Sequence, residues 1–145
     1  MTSRTLLRCL LALALAATGP AHAVDAAQRL AWREQAQGFE HGEGVKRDTE
    51  AAIRLYCQAA LAGDAVSAYN LGWIYANGRG VERHDGYAAH WFARAALLGD
   101  THAEGMFKRL ATPADKPECV QQAESAERQK ATEARQAAEV EALAT

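Results

Sequence analysis

The sequence has no excess of basic residues: 16 lysines and arginines stand against 18 acids, a formal charge of −2. A nucleic-acid-binding chain needs a basic face to displace the counterions of its phosphates, so that class of partner is excluded. No apolar run reaches the roughly 20 residues of a spanning helix, so no membrane span is expected. Cysteine is scarce, with Cys9, Cys57 and Cys119 the three in the chain. The histidines His41, His84, His90 and His102 form no i, i+4 pair, and no cysteine joins them at metal-site spacing, so no metal or other cofactor is expected.

What is present begins with a leader. Arg4 and Arg8 give a positive start, and Leu10 to Ala17 form a short apolar run. Gly19-Pro20 then breaks the helix, and Ala21-His22-Ala23 makes a small-residue cleavage site. The pattern predicts a signal peptide over residues 1–23, cleaved after Ala23, with an uncleaved membrane anchor as the alternative. The mature chain then starts at Val24 and is periplasmic or secreted. The leader takes two arginines and no acid with it, lowering the net charge from −2 to −4. Export makes a disulfide between Cys57 and Cys119 the expectation, with a buried cysteine plus a free thiol as the other reading.

The mature chain repeats itself. Gly42 to Asn70 aligns with Gly78 to Met106 at a constant offset of 36 residues and without a gap. Gly42 falls on Gly78, Gly44 on Gly80, Val45 on Val81, Tyr56 on Phe92 and Gly63-Asp64 on Gly99-Asp100. Ala52, Leu55, Tyr56, Ala59 and Ala60 follow i, i+3, i+4, i+7, i+8, one apolar stripe on a helix, and Ala88, Trp91, Phe92, Ala95 and Ala96 repeat it. A helix of a second kind precedes each, with Trp32, Ala36 and Phe39 on the first and Ala68, Leu71, Gly72 and Tyr75 on the next. A third copy starts at Ala103 and Phe107 and stops after Leu110. Asp48, Asp64 and Asp100 are expected N-caps, and Gly63 and Gly99 suit left-handed helix ends. In the Gly-x-Gly-Val turns, Val45 and Val81 are expected to fold back on the next helix. No unit buries its stripe alone, so the units must stack, giving an all-α, short α-solenoid over residues 24–111.

The stretches from Tyr69 to Val81 and from Ala88 to Asp100 carry a resemblance. They look like Sel1-like repeats, relatives of the tetratricopeptide repeats with a longer period and a Gly-x-Gly-Val turn. The resemblance runs from about Ala31 to Leu110, strongest in the central unit. The first unit has Gln35-Ala36 for the usual Leu-Gly pair, and the last has Lys108 for the glycine, as end caps do.

From Pro113 the composition shifts, and residues 112–145 read as a proline-containing linker and a polar tail. Ala, Glu, Gln, Arg and Lys dominate, so the tail is expected as a solvated helix or a partly disordered segment. No apolar heptad is sustained, which argues against a coiled coil. A Cys57–Cys119 bridge would staple the tail's root to the second helix of the first unit.

Catalytic candidates fall away one by one. Ser67 stands where the repeat has Ala103, and packs rather than attacks. Gly78-Arg79-Gly80 is like a fragment of a phosphate loop, but no strand precedes it and the repeat register accounts for it. His84 takes the cap position of Asp48. Glu40 and Glu43 are expected to flank a turn, exposed, with nothing to raise a pKa. Leu55-Tyr56-Cys57 with a later cysteine is similar to segments preceding the catalytic domain of some exported lytic transglycosylases. Their Glu-Ser pair has a counterpart in Glu124-Ser125, but within the polar tail, so it is read as solvated.

Tyr69, Asn70, Trp73 and Asn77 are the non-core positions of the central first helix, the kind expected to line a concave side. Asn70 matches an asparagine that contacts peptide backbone in the related tetratricopeptide repeats. Tyr69 and Trp73 offer rigid aromatic surface, unless Trp73 packs on the adjacent helix and Asn70 bonds locally. Arg79 and Arg94 add basic points. The resemblance implies an exported scaffold, not an enzyme, that binds a protein or peptide in the cell envelope, with a cell-wall-associated partner as one reading. The alternatives are an accessory or truncated relative of a peptidoglycan lytic transglycosylase, or a secreted effector.

Overall fold

The computed structural model describes residues 24–144, so the expected leader lies outside the described residues. Among the described residues the chain forms helices α1 (Ala26–His41), α2 (Thr49–Leu61), α3 (Ala65–Asn77), α4 (Asp85–Leu97), α5 (Ala103–Leu110) and α6 (Glu118–Leu143). Each of the first four packs on the next in sequence, and α6 meets α2. The fold is a short all-α solenoid of two helix pairs and an unpaired fifth helix.

The two units are built from the same backbone bonds. In the first turn the Asp48 N–H donates to the Phe39 carbonyl at 2.9 Å, and 36 residues on the His84 N–H donates to Tyr75 at 3.0 Å. Asp64 N–H to Ala59 and Asp100 N–H to Ala95 match at 2.9 Å each. The turn glycines agree in dihedral, with φ of 74° and 62° at Gly42 and Gly78, a left-handed region that an L side chain enters only with strain. Asp48 and Asp64 accept from the N–H groups of Ala51 and Ser67, closing the exposed helix starts. His84 does the same for Tyr87 through Nδ1. Asp100 accepts from both His102 and Ala103, so its capping survives although α5 begins three residues later.

The core holds the two predicted stripes, and Ile74, which the periodicity did not single out, joins them. Tyr56, Leu71, Ile74, Trp91 and Phe92 are fully buried among Ala52, Ala60, Ala68, Ala88 and Ala95, each large side chain contributing about 1.5–3 kcal/mol. Alanines between large residues let the helices approach. The tightest approach is at Gly72, where an added Cβ would lie 2.6 Å from the Phe92 ring. Two residues depart from expectation. Phe107 is 36% exposed because no second helix follows α5, and Val45 is 45% exposed, whereas Val81 packs at the core's edge.

The tail is helical throughout α6, exposed apart from its root. There Pro117 and Val120 are buried, the Asp115 N–H donates to the Gly86 carbonyl at 3.0 Å, and Cys119 is bonded to Cys57. The bridge closes a separation of 62 residues.

Candidate functional site

One face of α3 carries Tyr69, Asn70 and Trp73, half-buried, with Asn77 exposed at its end. Tyr69 and Trp73 lie four residues apart, on one side of the helix. Their rings meet edge to face at 6.3 Å, and both meet the buried Phe92 of α4 the same way, at 5.6 and 6.2 Å. Trp73 therefore does pack on the adjacent helix, and it keeps open surface as well. Three mutual edge-to-face contacts, about 0.5–1.5 kcal/mol each, fix the rings as a rigid ledge. Asn77 is spent locally, its amide donating to the Trp73 carbonyl at 3.0 Å.

Beside the ledge runs a polar relay. The Asn70 side chain lies beside the Tyr56 phenol and favours its ionised form. The Tyr56 hydroxyl donates to Glu40 Oε2 at 2.7 Å, and Arg79 Nη2 lies 3.2 Å from Glu40 Oε1. His41 Nε2 stands 3.8 Å from the same carboxylate. The relay links α1, α2 and the turn after α3 in one network. Burial, and then the Glu40 carboxylate, hold the Tyr56 phenol well above its ordinary range.

Glu40 corrects the sequence reading. It is 5% exposed rather than solvated, because the turn folds Arg79 over it and Tyr56 reaches it from α2. A buried carboxylate is tolerable only with donors on both oxygens, which these two residues supply. Glu43 is exposed as expected. The pairing had a signal in the sequence: 36 residues on, the acid and the phenol are replaced together by Ala76 and Phe92. Arg79 is thus an ion-pair partner, 43% exposed, rather than a free basic point. Arg94 is not free either, since its guanidinium donates to the Ala60 and Leu61 carbonyls at 2.9 and 3.0 Å and caps the end of α2.

The remaining candidates settle elsewhere. Ser67 is buried and its hydroxyl donates to Asp64, as a packing residue does. Glu124 pairs with Lys116 at 2.8 Å, and Ser125 donates to the Gln121 carbonyl. The Lys116 ammonium holds the Glu124 carboxyl below its usual range, the direction opposite to that of a general acid. A hollow of about 550 Å³ opens at the first turn, lined by Phe39, Asp48, Thr49 and Gly80, and contains no residue of the ledge.

The Sel1 repeat model matches residues 24–64 and 65–100, the two helix pairs in the order just described. The chain belongs to the Sel1 repeat family. A crystal structure of a Sel1 repeat protein from Oxalobacter formigenes is similar at 30% identity and a TM-score of 0.53, covering 64% of this chain and 74% of that one. Among curated proteins none matches. Sel1 repeats are typically protein-interaction scaffolds, and α5 lies beyond the two matched repeats.

Proposed function

We propose that this Sel1 repeat protein is an exported scaffold that binds a protein or peptide segment in the cell envelope, without a cofactor. The observation that carries it is the aromatic ledge of Tyr69 and Trp73, anchored on Phe92 and set beside Asn70. Rigid aromatic surface costs little entropy to bury, and aromatic anchors dominate binding energy at interfaces. Asn70 brings a half-buried polar group to the same face. Export is supported by the leader pattern and by the Cys57–Cys119 bridge, a bond that persists in oxidising compartments.

Crosslinking in the cell envelope tests the binding face. A partner captured by the native protein and lost in Trp73→Ala, with helical circular dichroism unchanged, supports the ledge; undiminished capture removes it. Recovery of a chain starting at Val24 from the periplasmic fraction supports export there, and the same species in the medium points to a secreted effector. Release of soluble fragments from purified peptidoglycan would replace the scaffold with the lytic alternative.

A further inference from the structure

On another side of α3, two hollows adjoin around Tyr75, Val81 and Glu118. One, of about 320 Å³, lies over Glu82, His84 and Tyr87. The other, of about 380 Å³, continues past Ile53 and Cys119 to Glu50 and Arg54. Tyr75 sits two residues beyond Trp73, about 200° round the helix, so this space opens away from the ledge.

Its chemistry is one-sided. The Tyr75 and Tyr87 rings meet at 5.3 Å and 87°, forming a corner, and His84 stacks on Tyr87 at 3.7 Å. Glu82 and Glu118 stand exposed at its mouth, and neither takes part in an ion pair or a side-chain hydrogen bond among the described residues. The neighbouring cations are committed elsewhere, Arg83 to Asp85 and Lys116 to Glu124. No lysine or arginine lines this hollow, and in the adjoining one Glu50 and Arg54 offset each other. Between the two ends, Ile53 and Val81 supply an apolar wall. The Cys57–Cys119 bridge fixes the backbone next to Glu118, which lines the hollow.

We infer that this cavity is a site for a primary alkylammonium group, carried by a lysine side chain or a free diamine. Ring faces attract a cation, and two unpaired carboxylates accept its N–H bonds. The apolar wall takes its methylenes. A planar guanidinium fits less well because His84 covers one face of Tyr87, and a quaternary ammonium has no N–H to offer the carboxylates. Burial, with Tyr87 and Glu118 adding to it, raises the Tyr75 phenol, which stays neutral beside such a guest.

The disulfide-bonded protein is titrated with cadaverine and with Nα-acetyl-lysine methylamide while the Tyr75 and Tyr87 ring protons are followed by NMR. Saturable shifts of both rings are expected from either amine. Glu118→Gln and Glu82→Gln, both at exposed positions, each weaken binding up to about fivefold, and Tyr87→Leu abolishes it. Trp73→Ala leaves the titration unchanged, which separates this site from the ledge. Tighter binding of the lysine derivative assigns a polypeptide as the carrier, and equal binding assigns a small amine. The inference is overturned if the Nε-acetylated lysine derivative, which has lost the charge, binds as well. Absence of saturable shifts, or undiminished binding in the double glutamine variant, overturns it too.

Discussion

The Tyr56 hydroxyl donates to Glu40 across 2.7 Å, and the second unit carries Phe92 and Ala76 at the same two places, removing donor and acceptor together. Each partner therefore makes the other tolerable. Tyr56→Phe takes a donor from a buried carboxylate, and Glu40→Ala leaves a buried hydroxyl without its acceptor; each is expected to cost about 1–3 kcal/mol in urea denaturation. The double variant reproduces the second unit's solution, so its loss should fall below the sum by about 0.5–3 kcal/mol. Strict additivity would mean the two side chains are not coupled.

Alkaline pH tests the same phenol. Burial raises the Tyr56 phenol above the ordinary tyrosine value of 10.0, and the Tyr75 phenol as well. Below pH 10 the unfolded and folded chains both hold these protons, so the stabilisation is fully present. Above it the unfolded phenols ionise first, and stability falls as the pH rises toward the folded values. Phenolate absorbance should show two of the four tyrosines titrating late or on unfolding. Tyr56→Phe should flatten the alkaline loss of stability; an unchanged slope would show that Tyr56 titrates as in water.

Two glycine-to-alanine changes in helices should act with opposite signs. At Gly72 the new methyl meets the buried Phe92 ring, and overpacking of about 1–3 kcal/mol outweighs a helix-propensity gain of about 1 kcal/mol. At Gly105 nothing lies within 4 Å of the added Cβ, and only the gain remains. Thermal melts should show Gly72→Ala below and Gly105→Ala above the native protein. A melting point for Gly72→Ala at or above the native value would disprove the close approach of α3 and α4.

These outcomes bear on what the sequence made legible. The repeat offset fixed the helix pairs, caps and turns because they are set by local spacing and by small residues at recurrent places. Asp48, Asp64 and His84 cap as their positions foretold. Burial of Glu40 was not legible locally: its donors come from residues 16 and 39 positions away, and a glutamate beside a turn reads as solvated until Arg79 closes over it. Arg94 was hidden for the same reason, since its acceptors lie 34 and 33 residues earlier. The relay and the cap at α2 are products of stacking, which one helix's pattern does not contain.

Reducing the Cys57–Cys119 bridge opens a 62-residue loop in the unfolded chain, worth about 4 kcal/mol by loop entropy. Reductant, or Cys57→Ala with Cys119→Ala, should lower the melting point by on the order of 10 °C. Amide exchange should quicken first at the root of α6, where Pro117 and Val120 are the buried anchors that remain. A melting point insensitive to reductant would show that the bridge does not bear on stability.

The bridge also skips a whole unit, running from α2 past α3, α4 and α5 to the start of α6. Solenoids evolve by duplicating units, and each added helix pair would carry the far end on by about 20 Å. The cysteine α-carbons here are 6.6 Å apart, and a disulfide reaches little farther. The bond thus works as a ruler: a lineage that keeps it is held to this number of repeats, and one that lengthens the array must give it up.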